Sequence, residues 1–575
     1  MLLKINEIFC SNESKLIYDK IFLAFIYNVL RSEFRMIFLE VFCIVAFLIL
    51  IFKFLVGSKG YFKNWQKIII GGSLAFFAFF ELCGLGKAPG LFGDEAFNFY
   101  NSWSLAHFGV DSNLLHNPVY SVSAGGQSIL YEWLAVPFMK IFGMNLVAYR
   151  FPMAFLTVLS VLFLIFALYK NKVTPKIILG VSVSLSTAEW LLMYGHWAMD
   201  CNIVVPMFIF AVGFIVLSFT QKKLYGYVGI VLIDLMAYCY VGAWISLPFI
   251  FIGTICFLYK LEKFNKKDIY KLIFISAVLL FPIFCYVLVQ FIGVKPFKFL
   301  WFTVASLPQT RAANSMISFS GNVINNVISN LASGLGQLIT GNDSWLQTSI
   351  PGYAVIYLLM FLLMIYGVVC VIKKKKNVVT KFLIILSFSL IPLILFVQAN
   401  FTHWAVVLFI AYLWAGIGLG KLFELAGKRI VKVVILLTIF IVSVDFTHYY
   451  FTDYTNTEVT ANQIPSYVID FNNSKKFVSE LDNLHVNTYY GFPFYNSDRP
   501  SNNIEFLECI KHPNPHKISR LEEKYQPSIP TQVMSGSAAY IIPEDQVDNY
   551  NYLESLPSKT LRVNGQNYVV FYKNN

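Results

Sequence analysis

The stretch from Ile68 to Trp103, IIIGGSLAFFAFFELCGLGKAPGLFGDEAFNFYNSW, changes character once. Its first part, Ile68–Gly86, is an apolar run, and a helix needs roughly 20 mostly apolar residues to cross a hydrocarbon core. After Gly93 come two acids, Asp94 and Glu95, and then amides interleaved with aromatic rings. Such a change reads as a helix leaving a bilayer into a loop that can carry chemistry.

The same apolar run recurs along the chain. Further candidate spans are Met36–Val56, Ala148–Leu168, Ile177–Gly195, Ile203–Phe219, Tyr225–Tyr240, Trp244–Leu258 and Leu272–Phe291, followed by Tyr353–Ile372, Phe382–Ala399, Trp404–Gly420 and Val433–Phe446. Several are short, and the pair around Gly242 reads as kinked rather than cleanly separated. The expected fold is an all-α polytopic membrane protein of about 11–13 transmembrane helices. Ile21–Leu30 is too short to span and is expected at the interface. Composition agrees: of 575 residues 57% are hydrophobic, 17% aromatic and only 13% charged, and the mean hydropathy is +0.62. Soluble domains carry roughly 25% charged residues.

The net charge of +12 does not point to nucleic acid, because the basic residues sit in short breaks between apolar runs. The nine cysteines are scattered, Cys10 and Cys509 among them, and imply neither a disulfide framework nor a metal knuckle. Alternate breaks are basic: Lys53 to Lys67, Lys170 to Lys176, Lys222–Lys223, Lys260 to Lys271, Lys373 to Lys381, and Lys421 to Lys432. These are expected in the cytoplasm. The opposite set is then outside: loop 87–147, the turn His196–Asp200, loop 295–352, the turn Asn400–His403 and everything after Phe446. Three units follow: 1–66 with an interfacial segment and an extra helix, 67–446 as the transmembrane catalytic unit, and 447–575. The last is expected to be a small extracytoplasmic α/β domain, with a helix at Ser474–Leu481, a strand at Ser537–Ile542 and an Asn-Gly hairpin across Leu561–Val570.

Within the first outer loop, helical spacing puts Asp94, Asn98 and Asn101 on one face, where a carboxylate and two amides converge. The alternative is that Asp94 caps a helix, with Glu95 favoured by its dipole. Next come Gly126-Gln127-Ser128, Tyr131-Glu132-Trp133, Tyr149-Arg150-Phe151-Pro152, and a helix in which Glu189, Met193, His196 and Asp200 share a face if it continues. A structural His–Asp pair is the alternative there. Asp343 reads as a turn residue before a wall of the cleft, and Asp234 as an acid paired inside the bundle.

This order of an apolar helix, Asp-Glu, a long outer loop, a Leu-Tyr segment, Phe142-Gly143, Arg150-x-Pro152 and a later acid resembles the GT-C glycosyltransferases over about Ile68–Phe446. The branch it looks like is that of the protein mannosyltransferases and aminoarabinose transferases, glycosyltransferase family 39-like. The resemblance implies a polyprenyl-phosphate sugar donor, Asp94 as catalytic acid/base residue, and Asp200 as the second acidic position. Glu95, Asn98, Gln127, Tyr131, Arg150, His196, Arg311 and His403 are candidates for binding substrate. The chain departs from the pattern at Gly126-Gln127-Ser128, where Lys-Pro-Pro is frequent, and at His196, where Arg is. A departing phosphate needs a cation, and Arg311 is the preferred one, ahead of Arg150, His196 and His403.

The expected function is therefore inverting transfer of a sugar from a polyprenyl phosphate to a cell-envelope polymer, lipid or protein, at the outer face of the plasma membrane. The partners are this donor and membrane lipids, with no nucleic acid. No Asp-x-Asp motif is present, so no cofactor is required; a divalent metal stays open. A multi-pass transporter or flippase is the first rival, but it would show two related halves and polar residues at mid-membrane. A non-catalytic receptor or assembly protein is the second.

Overall fold

The computed structural model describes residues 32–122, 126–307, 310–311, 315–345, 348–373, 377–425, 427, 429–454, 471–496, 499–500, 504, 507, 521–563 and 565–574. The expectations for Ile21–Leu30, Cys10, Cys509 and Lys374–Lys376 lie outside the described residues.

The described residues open with α1 (Ser32–Gly57) and α2 (Asn64–Leu82), then α3 (Gly93–Phe108). A two-stranded ribbon, β1 (Tyr120–Ser121) and β2 (Gln127–Ser128), precedes α4 (Leu130–Phe142) and α5 (Leu146–Lys170). The helices α6 (Pro175–Ser186), α7 (Glu189–His196), α8 (Val204–Ser218), α9 (Leu224–Leu235), α10 (Leu247–Lys260) and α11 (Lys266–Phe291) continue the bundle. After the ribbon β3 (Phe297–Phe299) and β4 (Phe302–Val304) come α12 (Val323–Thr340), α13 (Leu358–Lys373), α14 (Val378–Ser389), α15 (Ile391–Phe396), α16 (Ala405–Glu424) and α17 (Arg429–Phe451). Seven of the described helical spans are long and apolar enough to cross a membrane, or eight if α6 and α7, bent by 53° at Thr187–Ala188, are one broken span; four shorter apolar helices accompany them. This is a polytopic helical membrane protein. Large apolar side chains left bare on α1 and α17, among them Phe38, Phe52, Ile430 and Ile441, face what must be lipid.

The centre of the bundle is α16, whose Gly416 and Gly420 face α6 while Gly418 faces α13. The backbones nearly touch. A Cβ added to Gly418 would lie 1.9 Å from the Leu363 carbonyl oxygen, and one on Gly180 2.1 Å from that of Gly416. In lipid no hydrophobic force drives helix against helix, so close packing through small residues supplies the association.

The expected kink near Gly242 is a real break: α9 runs into short 3-10 turns at Met236–Tyr238 and Val241–Ala243 before α10. Loop 295–352 contains a helix that the reading of the chain did not anticipate. In α12, Ile324, Ile328, Leu335 and Ile339 form an exposed apolar stripe. Its other face is docked: the Asn330 amide donates to the carbonyls of Ile394 and Val397, and Gly334 packs on Trp404.

Among its described residues the C-terminal part has α18 (Phe471–Asp482), β5 (Thr488–Tyr490), the small hairpin β6 (Tyr495–Asn496) and β7 (Arg499–Pro500), β8 (Tyr525–Gln526), β9 (Ala538–Pro543), β10 (Ser558–Val563) and β11 (Gln566–Lys573). Five strands form a mixed sheet in the order β10-β11-β9-β5-β8. The β10–β11 hairpin closes from Val563 opposite Gln566, with Gly565 at φ +79°, the backbone that glycine adopts freely.

Replacing Gly418 or Gly180 by Leu is expected to separate these helices and cost about 1–3 kcal/mol or more, since overpacking forces the backbone to shift. Gly72→Ala, with nothing within 4 Å of the added carbon, should leave stability intact. Thermal unfolding of the purified protein in mild detergent measures the difference.

Candidate active site

Asp94 is the second residue of α3, where a negative charge is favoured by the helix dipole. The residue before the helix is Phe92, and no side chain caps it, so Asp94 is not an N-cap. The adjacent side chain points about 100° away around the helix, and the two acids have opposite fates. The Asp94 side chain is 33% exposed. Glu95 is fully buried.

Glu95 is gripped by Arg150 of α5. The guanidinium donates Nε to Oε1 and Nη2 to Oε2 at 2.6 Å each. It also donates to the carbonyls of Leu85, Pro89 and Gly90 at 2.9, 2.9 and 3.2 Å. The backbone N–H of Ala198 completes the Glu95 carboxylate at 3.1 Å. One buried pair thus joins the end of α2, the start of α3, α5 and the turn after α7. Arg150 and Glu95 hold the site together from behind and do not line it.

Arg311 sits between Asp94 and Asp200. Its Nη2 donates to Asp94 Oδ2 at 3.0 Å, and its Nη1 reaches both Asp200 oxygens at 3.3 Å. Asp200 also accepts the Ser128 backbone N–H at 2.9 Å, while the Ser128 hydroxyl donates to the Asp200 carbonyl at 3.0 Å. Burial pushes the Asp200 carboxyl up, with Arg311 and the Ser128 N–H opposing it. For Arg311 burial works against the charge, but Asp200 and then Asp94 outweigh it and raise its pKa. The cation stays charged. A site with one open carboxylate, one buried carboxylate and a guanidinium between them can take a proton and stabilise an anion within a few ångströms.

The remaining sequence candidates scatter. The two ring nitrogens of His196 meet the Ala88 and Phe80 carbonyl oxygens at 3.1 and 2.9 Å, so it locks α2 to α7 and does not join Asp94. The helix stops at His196, Trp197 being extended, and Asp200 lies in the following turn; the single helical face of Glu189, Met193, His196 and Asp200 is therefore not formed. Glu189 instead accepts the Tyr357 hydroxyl at 2.6 Å. Tyr131 donates to the Tyr149 carbonyl. His403 contacts the Gln398 carbonyl at 2.9 Å and stacks on Tyr240. Asp343 accepts from Thr348, Ser349 and the N–H groups of Trp345 and Phe401: it is a turn residue. Asp234 accepts the Ser276 hydroxyl at 2.6 Å, the intrahelical-bundle pairing expected of it.

Ser128 and Tyr120 take places near the site that the order of residues does not announce. Ser128 lies in the Gly126-Gln127-Ser128 segment, but nothing local tells that its N–H meets a carboxylate 72 positions later. Tyr120 donates to the Ala237 carbonyl at 2.5 Å, which Trp244 Nε1 also reaches at 2.9 Å. Below them a cavity of about 430 Å³ opens among Asp234, Ala237, Trp244, Leu247, Ser276 and Ile283. Among the described residues no three His, Cys, Asp or Glu side chains are grouped to hold a metal ion.

The backbone course has solved counterparts. The crystal structure of ArnT from Cupriavidus metallidurans bound to undecaprenyl phosphate superposes with a TM-score of 0.52 at 11% identity, over 88% of this chain and 98% of that one. The apo state of the same protein gives 0.52 at 10% identity, over 88% and 97%. The chain has the GT-C fold. The GT-C likeness extends over a wider share of the chain than Ile68–Phe446. Archaeal AglB from Archaeoglobus fulgidus, solved with an inhibitory peptide and a dolichol-phosphate, matches at a TM-score of 0.40 and 11% identity, over 68% of this chain and 56% of that one. No family model and no curated protein matches the sequence.

Arg150→Ala is expected to destabilise the protein by about 3–5 kcal/mol, because it strands a buried carboxylate. Arg150→Lys should recover only part, since an ammonium cannot bridge both Glu95 oxygens and the carbonyls behind. Detergent thermal-unfolding midpoints and folded yield test the order wild type, Lys, Ala.

Proposed function

We propose that this protein transfers a sugar from a polyprenyl-phosphate carrier to a cell-envelope acceptor at the outer face of the cytoplasmic membrane. The observation that carries the reading is the Arg311 guanidinium held between the open carboxylate of Asp94 and the buried one of Asp200, within a fold shared with a protein solved with undecaprenyl phosphate.

In this reading Asp94 accepts the proton of the acceptor hydroxyl as its oxygen attacks the anomeric carbon. The bond from that carbon to the phosphate oxygen breaks, and the carrier phosphate leaves with the electron pair. Displacement from the opposite face inverts the anomeric centre. Arg311 meets the charge that develops on the phosphate, as a charged donor already held at the site. Asp200, held by Ser128, keeps Arg311 in position. The cavity below Tyr120 and Trp244 suits the isoprenoid chain. The cation lost at Gly126-Gln127-Ser128 and His196 is replaced from the other outer loop. The part after Phe446 is assigned to acceptor handling, because Asp94, Asp200 and Arg311 all precede it.

Asp94→Asn should abolish transfer from a synthetic short-chain donor, by about 10²–10⁴-fold or more, while insertion and the unfolding midpoint stay near wild type. Arg311→Ala should lose more activity than Arg311→Lys. A near wild-type rate for purified Asp94→Asn would overturn the base assignment.

Sidedness has its own test. The basic breaks predict Asn551, exposed in the C-terminal part, on the outside. In intact cells an Asn551→Cys variant should react with a membrane-impermeant maleimide above the wild-type background. Protection until the cells are lysed would reverse the topology.

A further inference from the structure

The polar face of α3 continues past Asp94, and the groups behind it are unusually unsatisfied. Asp94, Asn98 and Asn101 follow one another at helical spacing. Opposite them stands the β1–β2 ribbon, in which Ser121 pairs with Gln127. Gln127 Nε2 donates to the Asp94 carbonyl at 3.4 Å, and Asn101 Nδ2 donates to Ser121 Oγ at 3.2 Å and to Glu132 Oε1 at 3.1 Å. Asn98 is bracketed by these two anchored positions.

Asn98, Gln127 and Glu132 are each 0% exposed. Yet Asn98 Oδ1 and Nδ2, Gln127 Oε1 and Glu132 Oε2 have no hydrogen-bond partner. A buried polar atom left unpaired costs about 1–3 kcal/mol, so four of them beside a candidate base are poorly explained by stability. The surroundings narrow the ligand. Burial, with Asp111 and Asp200 adding to it, holds the Glu132 carboxyl well above the usual carboxylate range, and a corner that disfavours one negative charge disfavours a phosphate as well. No third ligand joins a carboxylate pair to hold a metal, among the described residues. What remains is a neutral ligand that both donates and accepts at several points. One helical turn, about 5.4 Å, separates Asn98 from Asp94, the reach from the anomeric carbon across a sugar ring.

The geometry points to Asn98, Gln127 and Glu132 as the subsite that reads the hydroxyl groups of the sugar being transferred, and so sets which sugar is used. This rests on the transfer reading above. Asn98 supplies a donor and an acceptor, Gln127 a carbonyl oxygen, and Glu132 the second oxygen of its carboxyl group. A sugar lacking the hydroxyl that one of them meets leaves that group unpaired again, and sites of this kind discriminate sharply.

The test uses the full-length protein in detergent with two kinds of probe: bare undecaprenyl phosphate, and the same carrier bearing mannose, glucose, galactose or arabinose. Binding is followed by native mass spectrometry. Wild type should bind at least one glycosylated carrier about tenfold or more tightly than the bare one. Glu132→Gln, nearly isosteric, and Asn98→Leu should each reduce that ratio severalfold while leaving the bare carrier's affinity little changed. If Asn98→Leu fails to fold, Glu132→Gln alone decides. A ratio unchanged in folded variants, or no preference for any glycosylated carrier in a wild type that binds the bare one, overturns the subsite and leaves the transfer reading standing. A wild type that binds neither probe overturns both.

Discussion

The buried guanidinium of Arg150 is the constraint around which the end of the bundle that carries Asp94 is arranged. A charge this deep is tolerated only when its donors are used and an opposite charge lies beside it. Both conditions are met at once: Glu95 takes two N–H groups, and the carbonyls of Leu85, Ala88, Pro89 and Gly90 take the others. Those carbonyls belong to the connection between α2 and α3, and a connection has backbone groups that must find partners somewhere. By supplying them, Arg150 fixes how α3 leaves the bundle. The Ala198 N–H on Glu95 extends the same restraint to the turn that carries Asp200.

Two adjacent carboxylates therefore divide one task. Glu95 is immobilised with its partner in the interior. Asp94, rotated about 100° around the helix, meets Arg311 and keeps a third of its surface open. The rigid member makes the open member precise, and removing either charge from the buried pair would move the other acid with it. Arg311 comes from a segment more than two hundred residues away, so the site exists only when both long loops have come together at one end of the bundle.

The packing beneath follows a different physics. Around α16 the glycines bring backbones to contact, which lets α6 and α13 lie close, and the Ser184 hydroxyl of α6 donates to the Tyr412 carbonyl across one of these contacts. Near the site the helices shorten and break instead, at Met236–Ala243 and between α6 and α7, and the freed backbone groups are met by side chains: Tyr120 and Trp244 on the Ala237 carbonyl, His196 on those of Phe80 and Ala88. Irregular backbone at such depth is tolerated where protein covers it.

Membrane residence, the succession of helices and the C-terminal hairpin were legible in the chain itself, because apolar run length, basic breaks and an Asn-Gly turn act over a few residues and leave a mark in their order. Asp94 and Asp200 became candidates through the family resemblance, and Arg311 through the cation that a departing phosphate needs. The amphipathic helix Val323–Thr340 was also written there, in Ile324, Ile328, Leu331, Leu335 and Ile339, but its polar face concealed it from a search for spanning runs. Which charges meet was not legible. That Arg150 closes on Glu95 and Arg311 on Asp94 and Asp200, that His196 turns to backbone carbonyls, and that Ser128 holds Asp200 all depend on distances between residues 55 to 217 positions apart. Local order says what a side chain can do; only the packing of distant helices decides which partner it meets, since hydrogen bonds and ion pairs act over a few ångströms, and a chain places its residues at that range only once it is folded.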